Sequence, residues 1–109
     1  MPFIHVKTAK TPAKPPVGDI AKDFAEATGI RIEHITVTWE HYEAIESATP
    51  VIVDLLAPDI NSERTVVKML RAVADSIARR AKVPAEHIFI NYREACSGRV
   101  FEAGKIVRW

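Results

Sequence analysis

Apolar and polar residues alternate through Pro2-Phe3-Ile4-His5-Val6-Lys7, the period-two pattern of a half-buried strand. Residues 9–18 carry Pro12, Pro15 and Pro16, which exclude regular helix and a central strand and mark a loop. Asp19 is placed to cap a short helix running through Ile20, Phe24 and Ala27 to Thr28, with Gly29 as its C-cap. Residues 30–40 are rich in β-branched side chains and alternate. Ile35, Val37 and Trp39 share one face and His34, Thr36 and Thr38 the other, which predicts a second strand.

Residues 41–49 are polar and read as a connection, and residues 50–56 predict a third strand ended by Ala57-Pro58-Asp59. Val66, Met69, Leu70, Val73, Ile77 and Ala81 then recur at helical spacing behind Asn61 or Ser62, either of which can cap the helix. Val83-Pro84 ends it. Residues 88–93 predict a fourth strand, and residues 99–109 a hairpin about Ala103-Gly104.

Strand, helix, strand is thus written twice. Pro2-Phe3-Ile4-His5-Val6 corresponds to Pro50-Val51-Ile52-Val53-Asp54, dividing a single domain into pseudo-repeats of about 1–48 and 49–109. The fold class expected is α/β (α+β): duplicated β-α-β units forming a four-stranded sheet with two helices on one face, plus a C-terminal hairpin. Helices can cover only one face of such a sheet. The other carries Ile52, Leu56 and Phe89 beside Asn91 and Arg93, and self-association over that face is the economical way to keep it from water.

Composition narrows the partners. Fifteen basic and 14 acidic residues give a formal net charge of +1, so no field of one sign points to nucleic acid. Cys96 stands alone, which excludes an internal disulfide and suits a reducing compartment. No signal-peptide pattern opens the chain and no apolar run is long enough to span a bilayer, so a cytoplasmic protein without a membrane partner is expected. His5, His41 and His87 lack ligand spacing, and no metal is expected.

With these residues in view the chain resembles the tautomerase superfamily, its 4-oxalocrotonate tautomerase and macrophage migration inhibitory factor-like members. The resemblance lies in Met1-Pro2-Phe3-Ile4, in Ala27-Thr28-Gly29, and in Lys68-Met69-Leu70 leading to Ile88-Phe89-Ile90-Asn91-Tyr92. It implies a homotrimer with sheets lining a central barrel and helices outside. It also implies cofactor-free proton transfer on a small keto or enol acid by an amino-terminal proline acting as general base. Several relatives dehalogenate or decarboxylate small acids instead, so the fold alone leaves the reaction open.

The roles follow residue by residue. Removal of Met1 frees the secondary amine of Pro2, whose reference pKa near 8 falls toward neutrality with desolvation or nearby cations. A base poised near the working pH is what abstraction of a proton beside a carbonyl requires. Asn91 and Phe89 stand where the resemblance puts an asparagine and an aromatic residue contributed by a neighbouring subunit. Asn91 would donate to a substrate oxygen and Phe89 would supply a wall. Arg93 is the first choice to hold a substrate carboxylate, which its guanidinium matches in bidentate fashion, with Arg31 and Arg99 behind it. His34 falls where the family has a pocket tyrosine, and Ile30 stands where it has a lysine, with Arg31 adjacent. Two rival readings share the fold: a catalytically inactive trimeric binding or scaffold protein, and a dehalogenase or decarboxylase using the same proline.

Overall fold

A computed structural model describes residues 1–109. The chain runs β1 (Phe3–Thr8), α1 (Val17–Thr28), β2 (Thr36–His41), β3 (Val51–Pro58), α2 (Glu63–Ala81), β4 (Ile88–Ala95), β5 (Val100–Glu102) and β6 (Lys105–Val107). The first four strands form one sheet in the order β2-β1-β3-β4. β1 pairs with β2 and β3 with β4 in parallel, while β1 and β3 meet antiparallel at the centre. β5 and β6 form a separate antiparallel pair. The expected α+β architecture is therefore the one observed.

Local chemistry explains most boundaries, and two elements start away from their expected positions. Gly29 adopts φ 76° and returns its N–H to the carbonyl of Ala25, closing α1 as expected of a glycine C-cap. At the other end α1 starts at Val17, two residues before the expected cap at Asp19. Pro15 and Pro16 set a φ already suited to a helix start, so Asp19 falls in the first turn, where its charge faces the positive end of the helix. The second strand also starts late. Ile32–His34 form a 3-10 turn and β2 begins only at Thr36, so Arg31 and His34 sit ahead of the strand rather than on it. Ser62, one of the two expected caps, accepts the Thr65 N–H at the start of α2.

Both helices pack on one face of the sheet. Ile4 and Val6 of β1, Ile20 and Phe24 of α1, and Val51, Val53 and Leu55 of β3 are fully buried there. Met69, Val73 and Ile77 of the α2 stripe join them, each burial of this kind contributing roughly 1.5–3 kcal/mol. Val66, Leu70 and Ala81 are only half-buried, whereas Ala72 and Ser76 are buried. The buried arc of α2 thus turns toward α1, where small side chains let the two helices approach.

One polar knot ties the helices together. The Asp23 carboxylate on α1 accepts from the Ser76 hydroxyl at 2.7 Å and from Arg80 Nε and Nη2 at 3.0 and 2.8 Å, and Arg79 lies 2.8 Å away. Hydrogen bonding from Arg80, then from Ser76 and Arg79, holds the Asp23 carboxyl well below the usual carboxylate range despite its burial.

Substituting Asp23→Ala removes these charge-assisted bonds and strands the Ser76 hydroxyl. It is expected to lower the unfolding free energy by about 2 kcal/mol in urea titrations at neutral pH. Because this carboxyl ionises more readily in the folded chain, its contribution is complete above the unfolded value of 3.8 and lost as pH falls below it. Acidification from about pH 6 to about pH 3 should therefore lower the wild-type urea midpoint more than that of the variant.

Candidate functional site

The face of the sheet turned away from the helices carries the chemistry. Phe3, His5 and Lys7 of β1, Ile52, Asp54 and Leu56 of β3, and Phe89, Asn91 and Arg93 of β4 all present this way by strand alternation. Phe3 and Phe89 are 40% and 51% exposed, large apolar areas for a sheet face. Between them the Lys7 Nζ donates to Asp54 Oδ2 at 2.6 Å. That bond raises the Lys7 ammonium above its ordinary pKa and lowers the Asp54 carboxyl below its own.

Strand order and register set the rest. Phe3 of β1 is opposite Leu56 of β3, and Leu56 is opposite Arg93 of β4. These three form a row across the sheet, with neighbouring strands about 4.8 Å apart. A cleft of about 250 Å³ follows the row, lined by Phe3, His5, Asp54, Leu56 and Arg93. Lys7 neutralises Asp54, so Arg93 brings the surplus positive charge to this cleft, where it also helps to keep Asp54 ionised.

A second cleft of about 320 Å³ shares Phe3 and Leu56 with the first and continues past Met1 and Thr36 to Val100, Phe101 and Glu102 of β5. The hairpin thus folds back over the start of β1. The Met1 ammonium lies 3.3 Å from Glu102 Oε1, although the two residues are 101 positions apart. Pro2 is buried beside this contact, and its carbonyl accepts the Thr36 N–H at 3.1 Å. While Met1 is attached, the Pro2 nitrogen is an amide and cannot act as a base. Excision of Met1 would convert it to a secondary amine at the edge of the cleft that Met1 now lines.

The residues singled out from the sequence are distributed unevenly about these clefts. Arg93 lines one cleft, and Pro2 is buried between Met1 and Phe3, which both line the adjoining one. Asn91 faces Asp54 across the β3–β4 register, and Phe89 faces Ile52 one step further from the amino terminus, both on the same open face. His34 borders a third cleft of about 310 Å³ with Glu102, Ala103, Lys105 and Val107. Arg31 borders none of the three. Its side chain is 76% exposed and pairs with Glu33. Glu102 went unforeseen because nothing in its local pattern marks it. Only the folding-over of the hairpin brings it to the amino terminus.

No protein-family model matches the chain, nor does any curated protein. Solved structures do resemble it. Native fused 4-OT is 8% identical over 96% of this chain and 95% of its own, with a TM-score of 0.80. The macrophage migration inhibitory factor of Oncomelania hupensis is 17% identical over 98% of this chain and 83% of its own, with a TM-score of 0.78. N1, a member of the cis-3-chloroacrylic acid dehalogenase family, is 15% identical over 97% and 83%, also with a TM-score of 0.78. The strand order, the two helices on one face and the added hairpin, matched over nearly the whole length, make this the fold of the tautomerase superfamily.

Proposed function

We propose that the chain is a tautomerase-like protein that moves a proton on a small keto or enol acid without a cofactor, using Pro2 as base once Met1 is removed. The observation that carries this reading is the cleft at Met1: an apolar recess whose end would hold the proline nitrogen, with the Glu102 carboxylate beside it. A desolvated amine loses the water that stabilises its charged form, which lowers its pKa toward the range useful for abstracting a proton beside a carbonyl. Arg93, in the adjoining cleft, would hold the substrate carboxylate through its two-pronged guanidinium. Asn91 would donate to the oxygen on which charge develops, and Phe89 would wall the site. Arg31 and His34 take outer positions in this reading, steering an acid toward the clefts.

Self-association belongs to the same proposal. The apolar face holding Phe3 and Phe89 calls for a partner, and fused 4-OT, which shares this fold, has been described as both symmetric and asymmetric trimers. A homotrimer would bring Phe89 and Asn91 of one subunit near Pro2 of the next. A second reading draws on Glu102. With a 3-haloacrylic acid as substrate, Glu102 would take a proton from water as the oxygen adds to the halogen-bearing carbon, and protonated Pro2 would give its proton to the adjacent carbon. The resulting halohydrin would expel halide and a proton to leave an aldehyde, making the protein a dehalogenase.

The mature protein should lack Met1 by mass spectrometry, and Pro2→Ala should lower kcat/KM toward an enolisable acid such as phenylpyruvate by at least about 100-fold. Retention of Met1, or unchanged turnover in the variant, would sink the proline mechanism. Light scattering should find a particle three times the 12.1 kDa chain mass. Phe89→Asp should reduce it to a folded monomer, because this side chain is already half exposed in the single chain and its loss leaves the core untouched.

A further inference from the structure

The β5–β6 hairpin is a separate sheet, and no backbone hydrogen bond joins it to the four-stranded one. Its position over β1 therefore depends on side chains. Two polar contacts tie it to the body, at opposite ends. One is the pairing of Glu102 with the Met1 ammonium. The other is the Trp109 indole, whose Nε1–H donates to Asp59 Oδ1 at 2.8 Å.

Asp59 is a firm anchor. It directly follows β3, and its own N–H is held by the Ala95 carbonyl at the end of β4 at 3.0 Å. Trp109 in turn belongs to the hairpin as a unit. Its backbone N–H donates to Ser97 Oγ at 2.8 Å, and the Gly98 N–H donates to the Val107 carbonyl at 2.9 Å, so the end of β6 is fastened to the turn that enters β5. Gly98 has φ 81°, a backbone conformation that side-chain-bearing residues rarely adopt, which is what favours glycine in this turn.

These contacts have a chemical consequence. When Met1 is removed, its ammonium goes with it, and the Trp109–Asp59 bond becomes the hairpin's remaining polar tie to the body. We propose that Trp109 is a positioning residue: by hydrogen bonding to Asp59 it holds the hairpin so that Glu102 faces the amino-terminal amine. The catalytic consequence rests on the proline reading above, but the geometric claim does not. A carboxylate beside an amine favours the protonated form and raises its pKa. Trp109 therefore helps to set that pKa through Glu102, without touching the reacting atoms.

The test is an NMR pH titration of the Pro2 amine in otherwise full-length protein from which Met1 has been removed. Trp109→Phe keeps the ring but removes the N–H, and is expected to lower the amine pKa by on the order of one unit. Asp59→Ala cuts the same bond from the other side and should do the same if the first variant folds poorly. Asp59→Asn retains an acceptor oxygen and should restore the wild-type value. Glu102→Gln should lower the pKa similarly, and adding Trp109→Phe to it should produce no further fall, since both act through one carboxylate. Hydrogen exchange of the β5–β6 amides should quicken in Trp109→Phe. An amine pKa and hairpin exchange left at wild-type values in both single variants would overturn the proposal and assign the hairpin's position to another contact. Failure of the proline reading is seen separately, as unchanged turnover in Pro2→Ala, and leaves this titration fully interpretable.

Discussion

Everything in this molecule follows from a sheet that is covered on one side only. β1 and β3 meet antiparallel at its centre and each is followed by a helix that returns to the same face. Ile4, Val6, Val53 and Leu55 are sealed beneath those helices, while their sequence neighbours Phe3, His5, Asp54 and Leu56 are turned the opposite way. Strand alternation permits no compromise, because every residue placed in the core commits the next to the open face. That face therefore gathers apolar area and charge together, and the Lys7–Asp54 pair stabilises its middle while Arg93 keeps its charge available.

The hairpin adds the second constraint. It is joined to the body by side chains rather than by a backbone ladder, so it can be set at an angle that the sheet's hydrogen bonding would not allow. In that position Val100 and Phe101 wall the cleft at Met1, and Glu102 divides it from the cleft holding His34. A recess at the start of a strand, built from the start of one element and the fold-back of another, places a terminal amine in partly apolar surroundings. Burial disfavours a charged amine and a nearby carboxylate favours it, and this recess supplies both influences.

The elements were largely legible from local pattern. The α2 stripe through Met69, Val73 and Ile77, the Gly29 and Ser62 caps, and the alternation of β1, β3 and β4 appear where spacing puts them, although β3 pairs on through Ala57 and Pro58, the residues expected to end it. The shared face of Phe89, Asn91 and Arg93 was equally readable, since it needs only the two-residue period. Two features were not. The 3-10 turn at Ile32–His34 interrupts an alternating run that looks like continuous strand, and it carries His34 and Arg31 off the sheet. The start of α1 moved because consecutive prolines favoured helical φ before the first polar cap arrived.

Local side-chain chemistry decided which residues face inward and where helices stop, because periodicity and caps act within a few residues of the chain. The doubled β-α-β unit implied the pairs β1–β2 and β3–β4, but nothing local decided how the two units join. The row Phe3–Leu56–Arg93 exists only because β3 lies between β1 and β4, and the Glu102 contact with Met1 exists only because the hairpin closes over β1. Both join residues far apart in the chain, and hydrophobic patterning records the face of an element but not its partner. The candidate site is made almost wholly from such pairings, so the tertiary fold assembled it.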